Sequence, residues 1–294
     1  MGKKVALVLS GGGARGIAHI GVIEELEKQG YEIKSISGTS MGALVGGVYA
    51  AGKMQKYKKW IYTLHKLDVF KLIDFTFSSQ GLVKGDRVFK KMKEFIPDKN
   101  IEDLKIHYAA TAADIINNQE VVFTKGSIYD AVRASVAIPT VFTPVIKENS
   151  ILVDGGVINN VPINHVKRTE DDVLVVVYVN ADIPVIRPPV SKKEKDQKQS
   201  IYLKKIKEFY GHLNKSKSKS KKEKLGYFDI MNKTISLATY QLAQLLMEKH
   251  SPDILIEVSR DSCGTFDFYK AEGLVEIGRH AAIKSLEEYN NRLN

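Results

Sequence analysis

Cysteine is almost absent. Cys263 is the one residue of its kind among 294, which excludes an internal disulfide and a metal cluster built on cysteines. Long apolar runs are missing too. No stretch approaches the ~18 consecutive apolar residues that would suggest a membrane span. Val5-Ala6-Leu7-Val8-Leu9 imitates a secretory leader, yet it ends after five residues at Ser10 and three glycines. That is short of the roughly 7–15 apolar residues of a signal-peptide core. Gly2 suggests myristoylation, but Ala6 stands where that motif wants Ser or Thr. A cytoplasmic protein is expected, with peripheral contact to the inner face of a membrane left open. Finally, the net charge of +10 has no source outside one segment. Residues 184–226 hold 14 of the 44 cationic and 4 of the 34 acidic side chains, leaving 30 of each elsewhere.

What is present is ordinary globular composition, 44% hydrophobic and 27% charged, enough for one large domain with an insertion. Lys4 to Leu9 reads as a buried strand stopped by glycine. A helix with Ile17, Ile20, Ile23 and Leu26 on one face follows and ends near Gly30. Ile33 to Ser37 is a second strand, and Met41 to Ala51 a helix rich in Gly and Ala. Strand-helix-strand-helix opens an α/β fold with a parallel sheet. From Lys53 to Pro97 the expectation is two or three covering helices. They carry Tyr57, Trp60, Ile61, Leu64 and Leu67, then Val69, Phe70, Leu72, Ile73, Phe75 and Phe77, with Asp86 capping a last one. Such a stretch packs as a cover, or as an apolar wall over a site. Beyond it, Ile106 to Ile116 and Gln119 to Thr124 form a hairpin at Asn117-Asn118. Ser127 to Ser135 is a helix, and strands are expected at Ile151–Val153, Val173–Val179 and Asp253–Ser259. Long helices lie at Tyr227–Lys249 and Tyr269–Tyr289.

Segment 184–226 has a different texture. It starts with Pro184, Pro188 and Pro189 and ends in a Lys-Ser run from Lys215 to Lys222, where disorder is expected. Between them Tyr202, Ile206, Phe209 and Leu213 form an apolar stripe among lysines. A basic amphipathic helix suits a membrane surface or a partner, and equally a charged connector packed on its own domain. Nucleic acid is a third option with no motif behind it.

The chemistry centres on Gly38-Thr39-Ser40-Met41-Gly42. Gly-x-Ser-x-Gly between a strand and a helix places the serine on a sharp turn with its hydroxyl exposed. A serine hydroxyl needs a base, and its attack on an ester needs donors for the oxyanion. Gly11-Gly12-Gly13-Ala14-Arg15-Gly16, the turn after the first strand, offers bare amides at a helix N-terminus. The same turn spells Gly-x-Gly-x-x-Gly, but no acid closes the second strand as a dinucleotide site requires. No histidine follows the last strand closely. His165, His212, His250 and His280 read as structural, whereas Asp154 ends an apolar strand before Gly155 and Gly156. Apolar surroundings would raise its pKa and make it a serviceable base.

Taken together and in order, these three motifs and Ser135-Val136-Ala137-Ile138-Pro139 resemble the patatin-like phospholipase family. The resemblance covers residues 3 to about 183 and extends to the last strand and helix after residue 227. It implies a three-layer α/β/α fold with a mostly parallel central sheet. It implies a Ser-Asp dyad without histidine, in which Ser40 is the nucleophile and Asp154 the base. The amides of Gly12, Gly13, Ala14 and Arg15 would form the oxyanion hole, with Gly11, Gly16, Gly38, Gly42, Gly155 and Gly156 shaping the turns. A lipid ester is the implied substrate, and no metal or cofactor is called for. The family often carries Asp where this chain has Ser10, a change of small consequence for backbone donors. Residues 1–183 and 227–294 are then the catalytic domain. The lysine-rich insertion 184–226 falls outside the family pattern, with residues 187–224 a candidate contact to anionic membrane. Two rivals stay open: an acyltransferase of similar fold, and a catalytically idle protein that binds lipid or a partner.

Overall fold

The computed structural model describes residues 3–72, 75–78, 81–185 and 226–293. Two compact units divide the chain, Met1–Ile186 with Ser236–Asn294, and Arg187–Ile235. In the smaller unit only residues 226–235 are described. The basic amphipathic stretch and the Lys-Ser run lie outside the described residues.

Strand β1 (Lys4–Leu9) opens the larger unit, with Val5 to Leu9 wholly buried. A 3-10 turn over Gly13–Ile17 leads into α1 (Ala18–Lys28). Parallel to β1 runs β2 (Glu32–Thr39), and α2 (Met41–Ala50) starts immediately after Ser40. Next come α3 (Met54–Tyr62) and α4 (Lys66–Leu72). Phe75 and Phe77 then depart from the helical expectation: they lie in β3 (Phe75–Ser78), paired antiparallel with β4 (Gly81–Val83). Phe-Thr-Phe-Ser alternates with period two and is rich in strand formers, so the strand wins. Helix α5 (Asp86–Lys93) starts at Asp86, with Gly85 rather than Asp86 in the cap position at φ 80. Glycine makes the left-handed step into the helix, so the cap position falls one residue before Asp86 and carries no side-chain hydrogen bond.

The expected hairpin is β5 (His107–Asp114) and β6 (Gln119–Phe123), turning through Asn118 at φ 52. Helix α6 (Ile128–Ser135) is capped by the Ser127 hydroxyl, which accepts from the Asp130 amide at 3.1 Å. Then follow β7 (Val145–Lys147), β8 (Ser150–Asp154), β9 (Val173–Ala181), α7 (Tyr227–His250), β10 (Ile254–Ser259) and α8 (Ala271–Leu293).

The sheet runs β10-β9-β1-β2-β5-β8-β7, with β6 also on β5. Its first five strands are parallel, and the β5 side closes with antiparallel pairs. Period-two alternation divides the core into two layers. Val5, Leu7 and Leu9 of β1 with Val173, Val175 and Val177 of β9 pack towards α1, α2 and α8. Ala6, Val8, Leu174, Val176 and Tyr178 face the other way, onto Ala243 and Met247 of α7. Helices therefore cover both faces of a mostly parallel sheet, the three-layer arrangement that the resemblance implies.

One irregularity in this sheet positions the site. Along one edge of β5, Ala110 to Asp114 pair with β6. Along the other edge, β2 pairs up to Thr39 opposite Thr111, and β8 continues with Asp154 opposite Ala112. Thus β8 takes over the edge where β2 stops, and Asp154 arrives beside the turn that follows Thr39.

Candidate active site

Ser40 sits at φ 54, ψ −121, a sparsely populated conformation for a residue with a side chain. Holding it there takes close packing of strand on helix. A Cβ on Gly42 would lie 2.1 Å from the Leu9 carbonyl oxygen, and one on Gly38 would lie 2.5 Å from the Gly42 carbonyl carbon. Neither position has room for any other residue. The Ser40 amide donates to the Ser135 hydroxyl at 2.8 Å, and that hydroxyl donates to the Thr111 carbonyl at 2.6 Å. Ser135 thereby pins the turn to β5. The Ser40 side chain lies at the N-terminus of α2, where partial positive charge favours an anion.

The Ser40 hydroxyl lies close enough to the Asp154 carboxylate to favour its charged form. Burial pushes the Asp154 carboxyl up to about 6, against the opposing pull of Ser40 and the Gly156 amide. The Gly156 amide donates to Asp154 Oδ1 at 2.8 Å, and the Asp154 amide donates to the Ala137 carbonyl at 2.9 Å. A second device holds this carboxylate in place. Ser35, Ser37 and Thr39 share one face of β2, and their hydroxyls donate to the carbonyls of Lys167, Pro162 and Asn159 at 2.5, 2.7 and 2.8 Å. The segment after Asp154 is stitched along β2.

The glycine turn lies at the same sheet edge as Ser40, because Leu9 of β1 is level with Gly38 of β2. A Cβ on Gly11 would come within 3.1 Å of the Ser40 Cβ. Two of the turn's amides are engaged: Gly11 donates to Asn160 O at 3.1 Å and Ala14 to Thr265 O at 2.9 Å. The bond to Thr265 takes the Ala14 amide out of the donor set the sequence offers. Arg15 lies within the 3-10 turn that opens at Gly13, where φ is +56. Gly12 and Gly13 take part in neither of these bonds. The Arg15 guanidinium braces the turn, donating to Asn180 Oδ1 at 2.8 Å, while Asn180 Nδ2 donates to Gly11 O at 2.7 Å. The Ser10 hydroxyl ties the end of β1 to β9, accepting from the Val179 amide at 3.0 Å.

Over Ser40 lies a cleft of about 890 Å³, open to solvent and walled almost wholly by apolar side chains. Tyr57, Trp60 and Ile61 of α3, Val69 of α4, and Phe89 and Met92 of α5 form the wall. The aromatic stretch is therefore a wall over the candidate nucleophile. Leu67 and Phe70 do not face inwards; they are 72% and 61% exposed.

Among the described residues, no hydrogen bond joins Ser40 to a histidine named from the sequence. His165 pairs with Glu120 at 2.8 Å, and His212 is outside the described residues. His19 is buried, contacts the Ser10 carbonyl through Nε2 at 2.9 Å, and is pushed down to about 4 by burial. Asn159, Asn160 and Asn180 carry no motif that singles them out. Their partners in β2 and the glycine turn lie 120 to 169 positions away, as in Thr39 to Asn159 and Gly11 to Asn180. Only the Asn159-Asn160 doublet soon after the Asp-Gly-Gly turn hints at them.

Among known proteins, the family model described as patatin-like phospholipase matches residues 7–167. An uncharacterised NTE family protein of Mycobacterium tuberculosis is 29% identical over 334 residues, covering 97% of this chain and 92% of that protein. Lysophospholipase NTE1 of Kluyveromyces lactis is 28% identical over 301 residues, covering 98% of this chain and 20% of that much longer protein. Among solved structures, VipD from Legionella pneumophila superposes with a TM-score of 0.50 at 14% identity, over 98% of this chain and 67% of VipD. That likeness concerns the fold.

Proposed function

We propose, from the premise that the chain belongs to the patatin-like phospholipase family and is a lipid acyl hydrolase, that Ser40 and Asp154 are its catalytic dyad. The observation that carries the reading is the strained Ser40 set beside a buried carboxylate that burial pushes up to about 6. A base of that strength is ionised at neutral pH yet more willing than an ordinary aspartate to take a proton.

Ser40 Oγ attacks the ester carbonyl carbon as its proton passes to Asp154. The carbonyl oxygen becomes an oxyanion facing the Gly12 and Gly13 amides. Collapse breaks the bond to the alcohol oxygen, which leaves with the proton from Asp154. The acyl group remains on Ser40. Water then attacks this second ester, Asp154 takes and returns its proton, and the fatty acid departs. The substrate we assign is a lipid carboxylic ester of the phospholipid or lysophospholipid kind, its acyl chain lying in the apolar cleft. The lysine-rich residues 187–224 would hold the protein at anionic lipid.

Hydrolysis of a short p-nitrophenyl ester tests the dyad. Ser40→Ala should lower kcat by at least about 10³-fold, and Asp154→Asn by about 10²–10⁴-fold. Equal rates for wild type and Ser40→Ala would overturn the assignment. Product analysis with an added alcohol separates hydrolysis from acyl transfer.

A further inference from the structure

His19, in the first turn of α1, is wholly buried, and its neighbours Ala18, Ile20, Gly21, Val22 and Ile23 are buried with it. Its ring lies against the glycine turn. A Cβ on Gly16 would stand 3.5 Å from His19 Cδ2 and 2.5 Å from the Cβ of Met41, where α2 starts. His19 Nε2 is 2.9 Å from the Ser10 carbonyl oxygen. A carbonyl oxygen can only accept, so Nε2 carries the proton and Nδ1 is left with a lone pair. Among the described residues Nδ1 has no hydrogen-bond partner. A stranded buried acceptor costs stability. Phenylalanine would fill much the same space without that cost, so what histidine adds here is the donor at Nε2.

That donor acts on the peptide through which β1 enters the glycine turn. The Ser10 carbonyl lies against α2 as well, for a Cβ on Gly42 would come within 2.7 Å of its oxygen. On the opposite edge of the same peptide, the Gly11 amide donates to Asn160 O at 3.1 Å. With His19 on the carbonyl and Asn160 on the amide, the plane of the peptide is held from both edges. The direction in which the chain leaves that plane sets where the next two amides point.

We infer that His19 is a positioning residue for the oxyanion hole, orienting the Gly12 and Gly13 amides through the Ser10-Gly11 peptide, a role that rests on reading Ser40 as the nucleophile and those amides as the oxyanion donors. It is not a base. Nε2 is committed to the Ser10 carbonyl, and among the described residues no group stands ready to give Nδ1 a proton. Substrate never touches the ring; it meets only the amides that the ring holds in place.

Two ketones separate this role from support of the fold. Octyl trifluoromethyl ketone takes the Ser40 hydroxyl: Oγ bonds to the carbonyl carbon, the hydroxyl proton passes to Asp154, and the carbonyl oxygen becomes an alkoxide facing the turn. Octyl methyl ketone fills the same cleft without adding. His19→Phe keeps the bulk of the ring and removes the donor. It is expected to lower kcat for a short p-nitrophenyl ester by about 10- to 10²-fold with KM little changed, and to weaken the trifluoromethyl ketone by the same factor. Affinity for the methyl ketone should stay within about twofold of wild type, since it presents no oxyanion. His19→Gln returns an N–H near the place of Nε2 and should recover most of the loss. His19→Leu makes the same comparison if the phenyl ring prevents folding. Equal losses for the two ketones, or a Gln variant no better than the Phe one, would overturn the inference and leave the dyad standing. Wild type binding both ketones alike would mean that Ser40 forms no adduct, and the dyad would fall together with the role of His19.

Discussion

If Asp154 is the base, a carboxyl that burial pushes up to about 6 limits when Ser40 can lose its proton. Below that value Asp154 is neutral and already carries the proton it is meant to accept. The expected kcat/KM profile therefore rises about tenfold per pH unit up to roughly pH 6 and flattens above. A rate with no inflection between about pH 5 and 7 would refute Asp154 as the base. The same titration acts on stability, with a definite sign. The folded-state value lies above the ordinary aspartate value, so the native protein holds this proton more tightly than the unfolded chain. Stabilisation from this group is complete below about pH 4 and is lost as pH rises through about 6. Removing the charge should then relieve the fold. Asp154→Asn is expected to be more stable than wild type by on the order of 2 kcal/mol at pH 8, and near equal at pH 4. Denaturant melts at both pH values check this. An advantage of the same size at both would mean that something other than the buried charge sets it.

The strand-to-helix turn at Ser40 needs partners from elsewhere, and Ser135 at the end of α6 is the one that joins most of them. It accepts from the Ser40 amide and donates to Thr111 of β5, and it is fully buried. Ser135→Ala leaves a donor and an acceptor unsatisfied, at a cost of about 1–3 kcal/mol. Freed from β5, the turn drifts, and a misplacement of about 1 Å at the reacting atom costs around 10²-fold in rate. Lower stability with an undiminished kcat would show that Ser135 supports the fold but does not position the nucleophile. This contact also marks the limit of what the sequence discloses. The Ser40 turn, the glycine turn and the Asp154 turn are each local patterns, a few residues whose spacing carries the geometry. They are legible, as are β1, β9 and the hairpin at Asn118. The contacts that unite them are not. Ser40 to Ser135, Thr39 to Asn159 and Gly11 to Asn180 bridge distant strands, and no local spacing encodes them. The Ala14 amide looks free in the sequence for the same reason, its acceptor Thr265 lying beyond the last strand. At Phe75 and Phe77 a local strand signal exists, but the helical neighbours on either side mask it.

Charge is partitioned along the chain as sharply as chemistry is. Residues 184–226 carry the whole excess of +10, while everything else balances at 30 cations and 30 anions. A neutral catalytic unit gains nothing from long-range attraction to an anionic bilayer, so any such attraction resides in the lysines of that segment. Among the described residues no helix is long and apolar enough to cross a membrane. Each lysine near an anionic surface contributes about 1 kcal/mol, and the contribution fades beyond a screening length of ~10 Å at 0.1 M salt. In the full-length chain, Gln at positions 215, 217, 219, 221 and 222 removes five of these charges. Partition onto vesicles rich in anionic lipid is then expected to fall by at least about tenfold at low salt, and its salt dependence to flatten. Hydrolysis of a soluble short ester should be unaffected, because that reaction needs no surface. Unchanged partition of the five-lysine variant would remove the segment from membrane attachment. Raised salt releasing wild type but not the variant would locate the attraction in those lysines and separate where the enzyme works from how it cleaves.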